Sequence, residues 1–567
     1  MSQPAVMQAP VIPGTSTRKG HPKGLAVLFS AEMWERFTFY GNRALLTLFL
    51  VSALDFTQEQ SSIIYGGFLG MGWLTAILGG FMADRYWGNR TCIIVGGLTM
   101  SLGQLFMFGS GILYATDVTT ARTIMWAGLV ILILGNGFFK PNISSMVGQL
   151  YPKNDNRLDS AFTIFYMGIN LGALLGITIC PILGDVKHTV GGHEVRDVTA
   201  FKWGFLAASL AMLIGTVMFY FLKDKYVVSP EGNPVGTRPK QLVTAEGEAA
   251  QAQFSTKAVI ISAAALVLLV AAFHWLVGVN YLYAFIYSTG IALAGLILSD
   301  KSLNGVERQR IIVIYIVSFF VIFFWACFEQ AGSSLTFIAD QQTDRRLFGW
   351  DMPPSLIQNA QSLTLIALAL PFSWLWLRLQ KVKMDPIAPV KQAIGLFVLA
   401  LGYYVIALQV KDLGNAKMGV IWLIVLYTFH TVGELSVSPI GLSLVSKLAP
   451  HRFTSLLMGV FFLSNASGYA LAGTLGALLP PTGEKFDVAA KHGIDLQGIL
   501  NGTVTVTTQL KAQLLELKLP AAYPHFAGFT IHNLYEFFML FAILPGVAAI
   551  LLFLLSGALK KWMHGVR

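Results

Sequence analysis

Apolar runs of about 20 residues recur along the whole chain, each long enough to cross a bilayer as a helix. About 14 are legible, near 25–53, 62–83, 91–114, 121–147, 158–182, 201–222, 257–278, 280–299, 311–336, 356–379, 391–410, 417–446, 453–479 and 531–558. This pattern predicts an all-α integral membrane protein. Most connections are short. One longer connection, residues 224–256, is polar, carries Pro230, Pro234 and Pro239, and is expected to separate two bundles. Another, Pro480 to about His525, reads equally as a small folded cap or a plain surface loop. Within it Thr503–Thr508 alternates Thr and Val, which predicts a short strand. Leu510, Leu514, Leu515 and Leu517 follow near helical spacing.

Composition agrees. Only 12% of the 567 residues are charged and 55% are hydrophobic, where an ordinary soluble domain is roughly 25% charged. A net charge of +10 would raise the question of nucleic acid in a soluble protein. Here the excess belongs to short loops, and no nucleic-acid partner is expected. Arg85 and Arg90, Lys153 and Arg157, then Lys223, Lys225, Arg238, Lys240 and Lys257 all fall on one side of the membrane. So do Lys301, Arg308 and Arg310, Arg378, Lys381, Lys383 and Lys391, Lys447 and Arg452, and Lys560, Lys561 and Arg567. Basic loops face the cytoplasm, which places the amino terminus there. The opposite loop, Asp55–Gln60, has two acids and no base, while the loops at 184–200 and 340–351 are mixed. Residues 1–22 lack the apolar core of a cleavable signal, so the first span is expected to stay as an anchor. The expected location is the cell (inner) membrane.

The first span breaks the apolar rule. Glu32, Glu35, Arg36 and Arg43 lie inside Leu25–Leu54. At about 100° per residue, these four together with Phe39 and Tyr40 fall within about 140° of helical arc. Three further charges lie deep in apolar surroundings: Lys140, Glu329 and Glu434. Charge in a membrane core is costly and persists where it moves ions or holds substrate. These seven charges occupy four spans, so opposite signs can pair across a central cavity. A desolvated ion pair is poor glue but a good switch: protonating its carboxylate releases the cation. That is a physical basis for proton-driven transport, and a zwitterionic substrate would compete for the same charges.

Blander readings stand beside this one. An acid near a span's end, Glu32 included, can snorkel to the interface. Asn170 lies among Gly168, Gly172 and Gly176, whose four-residue spacing signals close helix packing; it faces either a neighbouring helix or the cavity. His274 and His430 read as packed core histidines. The helix pair at 257–299 has no intramembrane charge besides His274 and reads as structural. Cys92, Cys180 and Cys327 are too far apart for a disulfide framework or a metal site. Zinc-peptidase, serine-hydrolase and nucleotide-binding motifs do not occur. Asn501-Gly502-Thr503 fits a glycosylation sequon, of use only in a eukaryotic secretory pathway.

At these charged positions the chain resembles a known family. Glu32-Met33-Trp34-Glu35-Arg36-Phe37-Thr38-Phe39-Tyr40 is similar to the E-x-x-E-R-F-x-Y-Y motif of the proton-dependent oligopeptide transporters, the peptide branch of the major facilitator superfamily. Gly79 to Gly88 resembles that family's loop signature after the second span, and Phe165 to Gly172 its fifth-span signature. Lys140-Pro141-Asn142, Phe328-Glu329-Gln330 and Gly433-Glu434 also look like family positions. The resemblance implies a cytoplasmic tail at 1–24, a six-helix bundle at 25–222, a linker at 223–256, an extra helix pair at 257–300 and a second six-helix bundle at 301–567 carrying an external loop at 480–530. It implies that Glu32, Glu35, Arg36, Arg43, Lys140 and Glu329 serve proton coupling, with Arg43 pairing Glu329. Arg36 and Lys140 would receive a peptide carboxylate, and Glu434 and Asn170 its amino end or backbone. Phe39, Tyr40, Trp73 and Phe461 would line the site. The chain departs from the family pattern at Phe39, Trp73, Ala76, Ser362-Leu363 and Phe461, which removes two hydroxyls and one indole N–H from the lining.

The reading that results is a proton-coupled symporter importing di- and tripeptides by alternating access. The alternative is a transporter of another small solute: nitrate, an amino acid derivative or a drug. A membrane enzyme or receptor would need a nucleophile–base pair or a large domain outside the membrane, and neither is legible. No cofactor and no metal are expected. The partners are peptide, protons and the lipid bilayer, with a monomer expected and an oligomer left open.

Overall fold

The computed structural model describes residues 20–152, 157–190, 193–238, 254–413, 416–450 and 453–566. The tail 1–19, the linker stretch 239–253 with Pro239, and the loop bases Lys153, Lys240, Arg452 and Arg567 lie outside the described residues. Six long helices come first: α1 Lys23–Ser52, α2 Gln58–Met82, α3 Asn89–Leu113, α4 Val118–Gln149, α5 Leu158–Gly184 and α6 Phe201–Tyr226. A pair follows, α7 Thr256–Ala272 and α8 Tyr281–Leu298. Six more complete the set: α9 Gly305–Phe328, α10 Asn359–Lys381, α11 Ala388–Val410, α12 Val420–Leu448, α13 Thr454–Gly476 and α14 Leu534–Trp562. Among the described residues, 13 helices are long and apolar enough to cross a membrane. The 30-residue α1 stands apart from them by its charges.

Polar side chains set the helix starts. Thr57 and Gln60 form a capping box at α2, Asn304 and Glu307 another at α9. Asp117 and Asn533 cap α4 and α14; each such side chain satisfies amides that have no partner within the helix. In the first bundle α1 packs on α5 and α6, α3 on α4 and α6, and α2 on α4. In the second, α12 and α14 pack on α11, and α9 on α13. The bundles meet where α2 faces α13 and α5 faces α10. The pair docks through α8 on α13 and α2, while α7 buries no residue.

Small residues bring the site-bearing helices close. Gly168, Gly172 and Gly176 of α5 lie against Phe29, Met33 and Phe37 of α1. This stripe seats α1 on α5, and the charged face of α1 runs alongside it from Arg36 and looks into the bundle interior. Gly172 carries the tightest consequence, since an added Cβ would press on the Met33 carbonyl and the Arg36 Cβ. Gly172→Val is therefore expected to cost at least about 2 kcal/mol, read as a lower melting temperature in detergent with loss of uptake. On α4, Pro141 has no N–H for the Gly137 carbonyl one turn back. Gly79 of α2 abuts that carbonyl, and Lys140 stands beside it on the same turn of α4.

The stretch after α13 is a folded cap. Helices Gly483–Lys491, Leu496–Leu500 and Thr508–Glu516 and a small hairpin, His525–Phe526 with Phe529–Thr530, make it up. Ala489, Ile494, Leu496, Ile499, Leu500, Leu514, Leu519 and Tyr523 form its own apolar core. The strand expected over Thr503–Thr508 is not there. Val504 and Val506 do pack inward while the threonines face out, but no second strand pairs with them, and Thr508 begins a helix. Sequence periodicity reported the burial and not the ladder. Lys518 ties the cap to Asp55 at the α1–α2 connection, 3.0 Å apart.

A second hairpin, Lys187–Val190 with His193–Arg196, follows α5 at the same end of the molecule as the cap. At the opposite end Arg90 donates to the carbonyls of Val227 and Val235 and pairs with Asp224 at 2.6 Å. It thereby clamps the start of the linker. Cys92, Cys180 and Cys327 are buried, with no disulfide among the described residues.

Candidate functional site

α1 presents its charged face to the middle of the molecule. Glu32, Glu35, Arg36 and Arg43 are each at most 3% exposed, so Glu32 does not snorkel out. Arg36 holds Glu32 at 3.1 Å and also pairs with Glu35. Asn136 of α4 donates to the Glu35 carboxylate at 3.0 Å. Two turns along, Arg43 donates through Nε to the Tyr65 hydroxyl at 2.8 Å. Tyr65 donates in turn to Glu329 Oε2 at 3.0 Å, and Arg43 Nη2 reaches the same oxygen at 3.1 Å. Arg43 and Tyr65 belong to the first bundle and Glu329 to the second, so this triad crosses between them.

The second bundle supplies Glu329 from a broken helix. α9 ends at Phe328, Glu329–Gly332 is a single 3-10 turn, and a short helix resumes over Ser334–Gln341. Non-helical backbone at membrane depth persists where protein groups satisfy it. Thr47 donates to the Gly332 carbonyl at 3.0 Å, and Gln330 donates to the carbonyls of Ala326 and Ala472. The break aims the Glu329 carboxylate across the bundle boundary.

Aromatic faces carry the cations. The Arg36 guanidinium lies 5.3 Å from the Phe39 ring centroid and that of Arg43 5.5 Å from Tyr40. Lys140 Nζ is 3.1 Å from the Trp73 centroid and forms no ion pair among the described residues. Arg36 holds both acids directly, while Lys140 sits on an indole face and stays within electrostatic reach of Glu32 and Glu35. Trp73 packs in turn on Phe462 and Tyr469 of α13. Phe461, expected to line the site, is 2% exposed and packs on Gly441 of α12. One residue of helix register separates it from Phe462, whose ring meets Trp73. Asn170 donates to its own helix at the Tyr166 carbonyl, 2.9 Å away. Glu434 is half-buried, forms no ion pair among the described residues, and lies within electrostatic reach of Glu329, Arg43, Tyr40 and Tyr166.

Several contributors escape a reading of the sequence. Tyr65 is one tyrosine in an apolar run and carries no signal. Asn136 had one: it precedes Lys140 by four residues, so both share a face of α4. His430 is fully buried among Phe328, Tyr403 and Tyr427, with Nδ1 3.2 Å from the Gln361 amide. His274 instead bonds the Val279 carbonyl in the α7–α8 turn.

A second ionic cluster joins the bundles at the cap end. Arg196 of the hairpin bonds both oxygens of Asp340 at 3.1 and 2.8 Å, and Lys187 reaches Asp340 at 2.6 Å. Arg345 donates to Glu194 at 2.6 Å. Asp185 accepts from the Ser355 hydroxyl at 2.7 Å and pairs with Arg196 at 3.1 Å. The hairpin thus works as a latch between the first bundle and the segment between α9 and α10. Gly191-Gly192 between two alternating stretches is the sequence signal for such a hairpin.

The model of the POT family matches residues 90–488. The chain is 32% identical to the peptide transporter YePEPT of Yersinia enterocolitica, over 82% of this chain and 89% of that one. It is 30% identical to the dipeptide and tripeptide permease A of Chromobacterium violaceum, over 81% and 85%. Among solved structures it superposes on a POT family transporter in complex with 5-aminolevulinic acid, with TM-score 0.71, 25% identity, and 97% and 99% of the two chains covered. A peptide transporter POT in complex with sulfate gives TM-score 0.70 at 27% identity, covering 97% and 98%.

Proposed function

The chain belongs to the POT family of membrane transporters, and we propose that it imports di- and tripeptides together with protons by alternating access. Its fold is of the major facilitator type, two six-helix bundles with an extra helix pair between them in sequence. The rocking of one bundle against the other is taken from that superfamily as a whole. Relatives named as peptide transporters and permeases support the cargo.

The observation that carries the reading is the Arg43–Tyr65–Glu329 triad. It is a desolvated tie across the boundary along which the bundles must part. Protonating Glu329 removes the charge that holds Arg43, and the tie loosens without either residue moving first. Glu32 and Glu35 on Arg36 form a second store of releasable charge. Arg36 and Lys140 are the cations for a peptide carboxylate, and the unpaired Glu434 is the acid for its ammonium group. Phe39, Tyr40 and Trp73 supply stacking surface beside them. With the basic loops cytoplasmic, the amino terminus lies inside and the cap end outside, so the latched state is closed to the exterior. The protein then acts as a monomer in the inner membrane. Proton and peptide act together by favouring one arrangement of the bundles over the other.

Purified protein in liposomes is expected to accumulate dialanine when the inside is alkaline and to stop when an ionophore collapses the gradient. Gradient-insensitive uptake would contradict the proposal. A second cargo is favoured by one finding: a relative of the same fold binds 5-aminolevulinic acid, a small zwitterion like a dipeptide. Competition between dialanine and 5-aminolevulinic acid for the same uptake separates the two.

A further inference from the structure

Helices α1, α2, α3 and α4 close around a small cavity behind Glu35. Phe39, Phe68 and Met100 give it apolar walls, and three amides complete it: Asn42, Gln104 and Asn136. The space open to the centre of a water-sized sphere is about 10 Å³, close to what one water needs. Asn42 and Gln104 are 1% exposed and Asn136 5%. Neither amide atom of Asn42 or of Gln104 has a hydrogen-bond partner among the described residues. A buried amide with no partner is costly, and four such atoms around one water-sized cavity call for a shared partner. Asn136 is the third wall and the only one that reaches the proton site, through its N–H on Glu35.

We propose that this cavity holds one ordered water bridging Asn42, Gln104 and Asn136, and that the three amides are positioning residues for the Glu35 carboxylate. A water offers two donors and two acceptors: one donor for the Asn136 oxygen, and three bonds that meet three of the four stranded atoms of Asn42 and Gln104. Its role follows from the two-faced chemistry of Asn136. The carboxylate of Glu35 needs the NH₂ end, which leaves the carbonyl oxygen of Asn136 in want of a donor. A water that donates to this oxygen locks the side chain the right way round. An amide donor on a carboxylate favours the charged form, so the lock helps set the pH at which Glu35 takes a proton. Arg36 and Glu32 from α1 and Lys140 from α4 act on the same carboxylate; none of them lines the cavity. The inference rests on the reading of Glu35 as a carrier of the coupled proton.

The test uses Gln104→Met in the full chain, a change that keeps volume and removes both amide atoms. If the cavity were dry, methionine would relieve two stranded groups and raise the melting temperature. If a water joins the amides, the substitution breaks its bonds and the melting temperature falls. The pH profile gives the readout that packing alone would not move. The midpoint of gradient-driven uptake is expected to shift to higher pH by at least about 0.5 unit, with the dialanine concentration for half-saturation unchanged. Asn42→Leu, on a different helix, is expected to shift it in the same direction. A raised melting temperature with a superimposable pH profile overturns the proposal. Stabilisation of the wild type by sodium and not by N-methylglucamine puts a cation there and also overturns it. A wild type that ignores the proton gradient would sink the transport reading instead, which keeps the two failures apart.

Discussion

Glu329→Gln is expected to uncouple transport: gradient-driven accumulation of dialanine falls at least about 100-fold, some 2.7 kcal/mol of lost coupling, while exchange of labelled for unlabelled peptide continues. Glutamine keeps the shape of the carboxyl and its acceptor for Tyr65, so the broken helix at Glu329–Gly332 can persist. It cannot alternate between charged and neutral forms. Arg43 loses its counter-charge permanently, and the tie between the bundles no longer answers to a proton. Glu329→Ala is a harsher change, because it strands a buried guanidinium at a cost of about 3–5 kcal/mol. Tyr65→Phe removes the bridge and leaves both charges. It is expected to lower the rate with coupling retained. Uptake and counterflow assays on the same liposomes distinguish these cases, and an uptake ratio unchanged in Glu329→Gln would contradict the assignment.

Arg196→Ala is expected to open the cap end. Arg196 is the hub of the latch: it bonds both oxygens of Asp340 and also Asp185, and it is mostly shielded from water. Removing it leaves Asp340 with Lys187 and leaves Asp185 with Ser355. The loss is expected to be about 2–3 kcal/mol, a shift of roughly 30- to 150-fold toward the state open at that end. Spin-label distances between the hairpin and the segment after α9 measure it, and a charge swap, Arg196→Asp with Asp340→Arg, should restore part of the closure. Unchanged distances in Arg196→Ala would show that the latch carries no gating load. Within this cluster the Glu194–Arg345 tie should ignore mild acid, while the neighbouring Asp351 carboxyl is pushed up, first by burial and then by its hydrogen bond with Glu194. The Glu194 carboxyl is drawn down to about 2, first by a hydrogen bond with Asp351 and then by Arg345. A carboxylate with a depressed pKa contributes fully above the ordinary carboxylate range and is lost only as pH falls through its own value. Between pH 7 and pH 5 the Glu194–Arg345 tie is therefore expected to stay closed, in keeping with the proposal that the transported proton acts deeper, at the α1 acids or Glu329.

The fold was legible because the bilayer imposes one rule on every span. An apolar run of fixed length needs no partner to be recognised, and α1 through α14 follow those runs closely. The charged face of α1 was legible for the complementary reason, that charge there is too costly to be incidental. Geometry between helices was not. Nothing in the run of apolar residues around Tyr65 shows that its hydroxyl bridges Arg43 and Glu329. The resemblance grouped Lys140 with Glu32 and Glu35, which do lie in its electrostatic reach, but the seat of its ammonium on the Trp73 ring was not visible. Phe461 and Phe462 differ by one step of helical register, and only the packing of α13 on α2 and α12 decides which meets the site. The latch was hidden for a related reason: its charges are spread over loops with both signs, and their pairing needs the hairpin register and the other bundle together.

On the proposed mechanism a peptide and a proton cross together because buried ion pairs exchange partners. Proton entry should therefore depend on peptide. Liposomes containing the purified protein and a trapped pH indicator, held at an inside-negative potential without a pH gradient, test this directly. Addition of dialanine outside is expected to acidify the interior, with no response in Glu329→Gln. Dialanine entering without any fall in internal pH would contradict the account.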